Sequence, residues 1–248
     1  MRSLQTSKIK ETMLSIHNSD PILGVRKIHQ ILLSKNLKLS LNTAFKLAKE
    51  CNIKAKIKVK YKPLTTKADP AAKAFPNLIN QKFNVSEPNT VWVSDITYIR
   101  VANKWNYLAV VIDLYDRFPV GWAFGHSPDA ELVCSALKRA IKSRNYDKTQ
   151  LLIHHSDQGS QYTSMAFKKL LTNYHILGSM SKRGSPYDNS VAENFFQKLK
   201  VEHVNDFKYS TFEAARKSLY YYIEIYYLYF RPHASLGYMT PYKFSKAI

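Results

Sequence analysis

The chain has 248 residues and 28.6 kDa, room for one large domain or two small ones, with 45% hydrophobic and 22% charged residues. That composition excludes a disordered or membrane-embedded chain. Its 37 Lys and Arg against 18 Asp and Glu give a net charge of +19, which points to a polyanionic partner, nucleic acid before acidic membrane, with a merely soluble basic protein as the plain alternative. The two cysteines, Cys51 and Cys134, lack the spacing of a disulfide framework or a zinc site and read as reduced thiols. Residues 1–8 hold no signal-peptide core, and no stretch approaches the roughly 20 apolar residues of a membrane span, so a cytoplasmic protein without a membrane partner is expected.

Residues 1–53 read as helical and basic. Val25, Ile28, Ile31 and Leu32 recur at helical spacing, a turn follows around Lys35-Asn36-Leu37, and Ser40 is placed to cap a second helix carrying Leu41, Ala44, Phe45 and Leu47. The pair suggests a small helix-turn-helix domain, although such pairs also occur in proteins that never touch DNA. Residues 54–88 read as a basic linker: Lys54 to Lys60 alternates charged and apolar residues, and Pro63, Pro70, Pro76 and Pro88 interrupt any long helix. It is either a solvated tether or a segment that lies along phosphates.

From residue 89 to 248 the pattern changes. Val91–Ile99, Tyr107–Leu114 and Val120–Phe124 are β-branched and aromatic, which predicts three strands. A helix over 130–144 follows, then a strand at 151–155, a helix at 165–174, a strand at 177–181 and a helix at 190–203. The fold class is therefore α/β, a mixed sheet flanked by helices.

Three acids stand out. Asp95 lies inside an apolar strand, where a carboxylate is costly unless paired or metal-bound. Asp157 follows the fourth strand in His155-Ser156-Asp157-Gln158-Gly159, and Glu193 opens a helix after a turn. Converging carboxylates of this kind hold Mg²⁺ pairs for phosphoryl transfer. Each also has a duller reading: a buried ion-pair partner for Asp95, an Asx-turn for Asp157, and a capping box from Ser190 for Glu193. His154 and His155 read as strand-end packing, since hard Mg²⁺ prefers oxygen. Asp113 reads as structural, and the run Tyr220-Tyr221-Tyr222 with Tyr226-Tyr227 as core or subunit contact.

The ordered stretches Trp92–Tyr98, Val111–Tyr115 with Gly121-Trp122, His155–Tyr162, Ser181–Gly184, Asp188-Asn189, Glu193 and Arg231–Pro241 together resemble the DDE transposases and retroviral integrases. They are most similar to the second-frame (OrfB-type) protein of bacterial two-reading-frame insertion sequences. The resemblance runs from about Gly24 to the C-terminus and implies a ribonuclease H-like core behind the small N-terminal helix-turn-helix domain. It implies that Asp95, Asp157 and Glu193 are catalytic residues and metal ligands, with two Mg²⁺ per site and Mn²⁺ as a substitute. Lys200 stands where the family places a basic residue at the element's end, and Glu193, Gln197 and Lys200 share a helix face at i, i+4 and i+7. Arg26, Lys27, Lys46, Lys182 and Arg183 are the other candidate DNA-contacting residues.

The implied activity is cleavage and transfer of DNA strands at the ends of an insertion sequence. The implied partners are terminal inverted repeats and target DNA, further copies of the chain assembled on DNA, and a first-frame (OrfA-type) protein as partner or fusion. A location at the bacterial nucleoid follows. With no heptad run of its own, the chain reads as the unfused product. A decayed DNA-binding copy and a ribonuclease H-like nuclease are the rivals; the intact triad opposes the first, the helix-turn-helix and Arg-Pro-His segment the second. Two departures from the family pattern are Leu228, where Asn is usual after Tyr, and Asp116, where Ser is usual.

Overall fold

The computed structural model describes residues 2–55, 74–182 and 185–247. They divide into two compact units, Met1–Tyr61 with Pro232–Met239, and Lys62–Arg231 with Thr240–Ile248.

The smaller unit holds α1 (Arg2–Ser19), α2 (Val25–Ser34) and α3 (Leu41–Glu50). Ile9, Met13 and Ile16, at i, i+4 and i+7, give α1 a narrow apolar stripe that packs with Leu23, Ile28, Leu32, Leu47 and Ala48. The turn between α2 and α3 uses Asn36 in the left-handed region, which a short polar side chain tolerates. Ser40 then caps α3, its Oγ accepting from Thr43 N–H at 3.1 Å, as its position in the sequence predicts. Arg26 and Lys46 are exposed and Lys27 half-buried.

In the larger unit, β1 (Val91–Val101), β2 (Lys104–Asp113) and β3 (Pro119–Gly125) form an antiparallel meander. A crossover through α4 (Ala130–Ser143) brings β4 (Leu152–Ser156) parallel to β1 on its other side. The short α5 (Ser160–Thr163) and α6 (Met165–Asn173) lead to β5 (Ile176–Met180), so the sheet order is β3-β2-β1-β4-β5. After it come α7 (Ser190–Glu202), α8 (Phe212–Tyr220), a wider π-type helix over Tyr221–Phe230, and α9 (Pro241–Lys246). Strand alternation sorts the core onto two faces. Val91, Val93, Leu108, Val110 and Ile112 meet α7, α8 and the π-helix. Trp92, Ala109 and Val111 meet α4 and α6. The predicted elements agree with the observed ones to within a few residues; α5, α8, α9 and the π-type winding are not among those predicted.

Of the segment read as a linker, residues 56–73 lie outside the described residues, and 74–88 are no free tether. Ile79 is buried in the core, Leu78 N–H donates to Ser179 Oγ, and the Phe75 ring occupies the space a side chain at Gly178 would need. The apolar residues between its prolines are what seat it.

Gly121 in β3 is fixed by a close approach: a Cβ there would run into the Ala136 carbonyl and lie 2.5 Å from Ala140 N, so only glycine lets α4 sit this near the sheet. The unusual Asp116 also finds a reason. It and Asp113 are fully buried, and Arg144 pairs with Asp116 at 2.5 Å and stands 3.7 Å from Asp113. Burial, then Asp116, push Asp113 up to about 6, against backbone N–H donors from Asn89 and Tyr115 and the Arg144 charge. Arg144→Met therefore costs about 2–3 kcal/mol at pH 8. Without the guanidinium the acid pair binds a proton more readily when folded than when unfolded. The deficit consequently narrows as pH falls from 8 to 5, which denaturant unfolding at the two pH values measures. Leu228, the other departure, is buried in the apolar core, a place for a hydrocarbon side chain.

Candidate active site

The parallel ladder between β1 and β4 ends at Val93 and His155. Two residues beyond that point, Asp95 continues β1 while Asp157 opens the loop just past the end of β4, and the two carboxylates are near enough to repel each other. Both are half-buried. Burial first, then the neighbouring Asp157, hold Asp95 well above the usual carboxylate range; Glu193 adds to the rise, and Ile96 N–H and Lys200 oppose it. Burial also raises Asp157, against the Gly159 N–H that its Oδ1 accepts at 3.0 Å. The Asx-turn is thus real and leaves Oδ2 available.

Glu193 sits on the exposed side of the first turn of α7, raised by burial and then by Asp157. The capping-box alternative is not formed: Asn189, not Ser190, is the N-cap, with no side-chain cap bond. Asn189 instead donates from Nδ2 to the Ser94 carbonyl at 3.1 Å, tying the start of α7 to the strand position beside Asp95. Phe195, Phe196 and Leu199 are buried on the core side of α7. Lys200 is on the site side, its Nζ 4.0 Å from the centre of the Tyr98 ring. Burial lowers Lys200 to about 8, against the pull of Asp95.

The histidines support the site from behind. His155 is buried, its two ring nitrogens hydrogen-bonded to Ser179 Oγ at 2.8 Å and Ser181 Oγ at 3.1 Å, and burial lowers it to about 4. His154 packs against Phe167 and Tyr162, and burial lowers it to about 3. Both are neutral at pH 7, consistent with a packing role. Asp188 accepts from Asn77, Gln81 and Lys182 N–H, all at 2.9 Å, and so pins the loop before α7. Sequence reading missed Tyr98, Asn189 and the hydroxyl of Tyr162, which pairs with Ser94 Oγ at 2.9 Å. All three stand inside the motif stretches, which was the usable signal. Lys182 is exposed, and Arg183 lies outside the described residues.

Among the described residues, no three His, Cys, Asp or Glu side chains are gathered closely enough to ligate one ion. The donors nevertheless fit a hard divalent cation in kind. All are carboxylate oxygens, and the repulsion that raises Asp95 is the excess negative charge such an ion would neutralise. An acid on a strand and one on the loop after the next strand, with a helix that adds an acid and a lysine, are equipped to hold and activate a phosphodiester.

The integrase core domain family matches residues 85–186, and a second integrase core domain family matches 174–241. The transposase for insertion sequence element IS904 of Lactococcus lactis subsp. lactis is 35% identical over 246 residues, covering 99% of this chain and 94% of that one. The transposase InsF for insertion sequence IS3A of Escherichia coli K12 is 34% identical over 221 residues, covering 89% and 76%. A solved HTLV-2 integrase catalytic core domain aligns more loosely, with a TM-score of 0.48 and 18% identity over 63% of this chain and 96% of that one.

The chain belongs to the integrase-core transposases of insertion sequences, the DDE transposases of the IS3 type. It is a polynucleotidyl transferase of DNA transposition and integration. No described helix is long and apolar enough to cross a membrane.

Proposed function

We propose that Asp95, Asp157 and Glu193 are the catalytic and metal-binding triad with which this transposase cuts and joins DNA at the ends of its element. One observation carries the reading: Asp95 on β1 and Asp157, just past the end of the neighbouring parallel strand β4, repel each other within electrostatic reach of Glu193 and Lys200. When bound, Mg²⁺, two ions per site with Mn²⁺ as a substitute, supplies positive charge against the reacting phosphate. The chain's own part is positioning. The rigid β1 strand fixes Asp95, the Gly159 N–H holds Asp157 at the end of β4, the Asn189–Ser94 bond sets the entry of α7, and Lys200, cationic below about pH 8, sits against a phosphate of the element's end.

In the first step a water oxygen bonds to phosphorus and the P–O3′ bond breaks. The water gives up a proton to solvent, the 3′ oxygen takes one up, and a 3′-OH and a 5′-phosphate remain. In the second, that 3′-OH attacks a phosphorus of target DNA and a new 3′-OH departs. Both steps are transesterification or hydrolysis without a covalent enzyme intermediate.

Residues 1–53 serve as the DNA-binding domain, with Arg26, Lys27 and Lys46 on phosphates; 54–88 joins them to the catalytic region 89–248, from which Lys182 and Arg183 are further candidates for DNA contact. The working form is a homo-oligomer on terminal inverted repeats and target DNA at the nucleoid, alone or with a first-frame partner. The test is a labelled duplex carrying the DNA that flanks the gene. Fragments ending in 3′-OH are expected with Mg²⁺ and none with chelator; cleavage that ignores divalent metal would refute the assignment.

A further inference from the structure

We propose that the β1–β2 hairpin carries a stacking platform, centred on Trp105, for an unpaired base of the DNA strand whose phosphate is being processed. The inference rests on the triad assignment and extends it along the sheet.

Beyond Val93 the edge of β1 has no β4 partner, and there the hairpin displays a row of side chains. Tyr98 and Trp105 are diagonal neighbours across the ladder, their rings edge to face at 4.9 Å and 86°. Arg100 is paired directly with Trp105 and lies over its ring at 5.9 Å. Lys200 joins this row to the acids, since it touches the Tyr98 ring and feels Asp95. Trp105 is 48% exposed, whereas the other two tryptophans, Trp92 and Trp122, are 0% and 7% exposed.

An indole left half in water beside the Arg100 guanidinium matches what a nucleic-acid strand offers, a π-face beside a phosphate. Lys104 adds a further cation at the hairpin's end. The platform is stiff as well: Ala102 N–H donates to the Tyr209 carbonyl at 2.6 Å, which anchors the tip. From Asp95 to Arg100 the strand rises about 17 Å and, five residues being an odd number, turns the platform to the other face of the hairpin. A DNA strand leaving the acids therefore reaches it around the edge of β1, past Lys200 and the Tyr98 ring, several nucleotides from the reacting atoms.

The experiment uses the full chain and two fluorescent duplexes, one blunt and one with a short unpaired thymidine tail. Wild type is expected to bind the tailed duplex about 10-fold or more tightly than the blunt one. Tail binding should also quench tryptophan emission, which reports Trp105 because the others are buried. Trp105→Ala should bring the ratio to near one while blunt binding persists, and Trp105→Phe should keep the ratio but lose the quench. An unchanged ratio in Trp105→Ala overturns the proposal. So does a ratio unchanged while sedimentation shows altered self-association, which would make the surface a contact between copies. Failure of every form to bind blunt duplex would instead strike at the proposed function itself.

Discussion

Asp157→Asn lowers the rate of strand cleavage at least about 1,000-fold, a loss of about 4 kcal/mol of transition-state stabilisation, while raising thermal stability. The amide keeps an oxygen to accept Gly159 N–H, so the loop after β4 is preserved. What disappears is a negative charge that is disfavoured by burial and repels Asp95 and Glu193. Stability should therefore rise with the substitution, the opposite sign to the activity, as at sites built for function. Asp95→Asn behaves the same way, and more strongly in stability, because Asp95 is the more perturbed of the two. Initial rates on labelled duplex and melting curves without divalent metal check both signs. A variant that loses activity together with stability would make Asp157 a structural residue.

Arg231→Ala destabilises the larger unit by about 3–5 kcal/mol. Arg231 grips Glu202 through two parallel bonds of 2.6 and 2.7 Å, and Tyr222 O–H donates to the same carboxylate at 2.8 Å. Both charged partners are almost fully buried. Burial works to lower Arg231, but the bonds and charge of Glu202 outweigh it and hold it above its usual range. Truncating the arginine strands a carboxylate at the junction of α7 and the π-helix. In a domain of this size the loss lowers Tm by about 10 °C. Adding Glu202→Gln should restore part of it, since the stranded charge is then gone, and Arg231→Lys should recover less than the fork geometry gives. Calorimetry on the three variants decides. This arginine opens the Arg-Pro-His segment that marks the family resemblance, so part of that signature answers to the fold and not to DNA.

Local signals were legible in the sequence. Alternation in Val91–Ile99 and Tyr107–Leu114 placed the central strands, and Ser40 announced the start of α3. The acids could be picked out individually, because a carboxylate inside an apolar strand is conspicuous. Their adjacency was another matter. It follows from β4 lying parallel to β1 in a set register, and register between strands separated by a helix leaves no periodic trace in either segment. The same holds for Arg144 with Asp116, Arg231 with Glu202, and Phe75 against Gly178. Each is a long-range pairing whose partner neither segment announces. The tyrosines of 220–227 show the limit of periodicity: Tyr222 and Tyr227 are core, while Tyr220 and Tyr221 face solvent, as wider π-type winding shifts which positions point inward.

The central claim is that Asp95, Asp157 and Glu193 together drive metal-dependent strand joining. Its most direct test gives the full chain a pre-cut element end bearing a free 3′-OH, with plasmid target and Mg²⁺, and compares wild type with Glu193→Gln. Wild type should yield joined products that chelator abolishes, and Glu193→Gln should yield none while still binding the end. Joining by Glu193→Gln at the wild-type rate, or joining without divalent metal, would contradict the account.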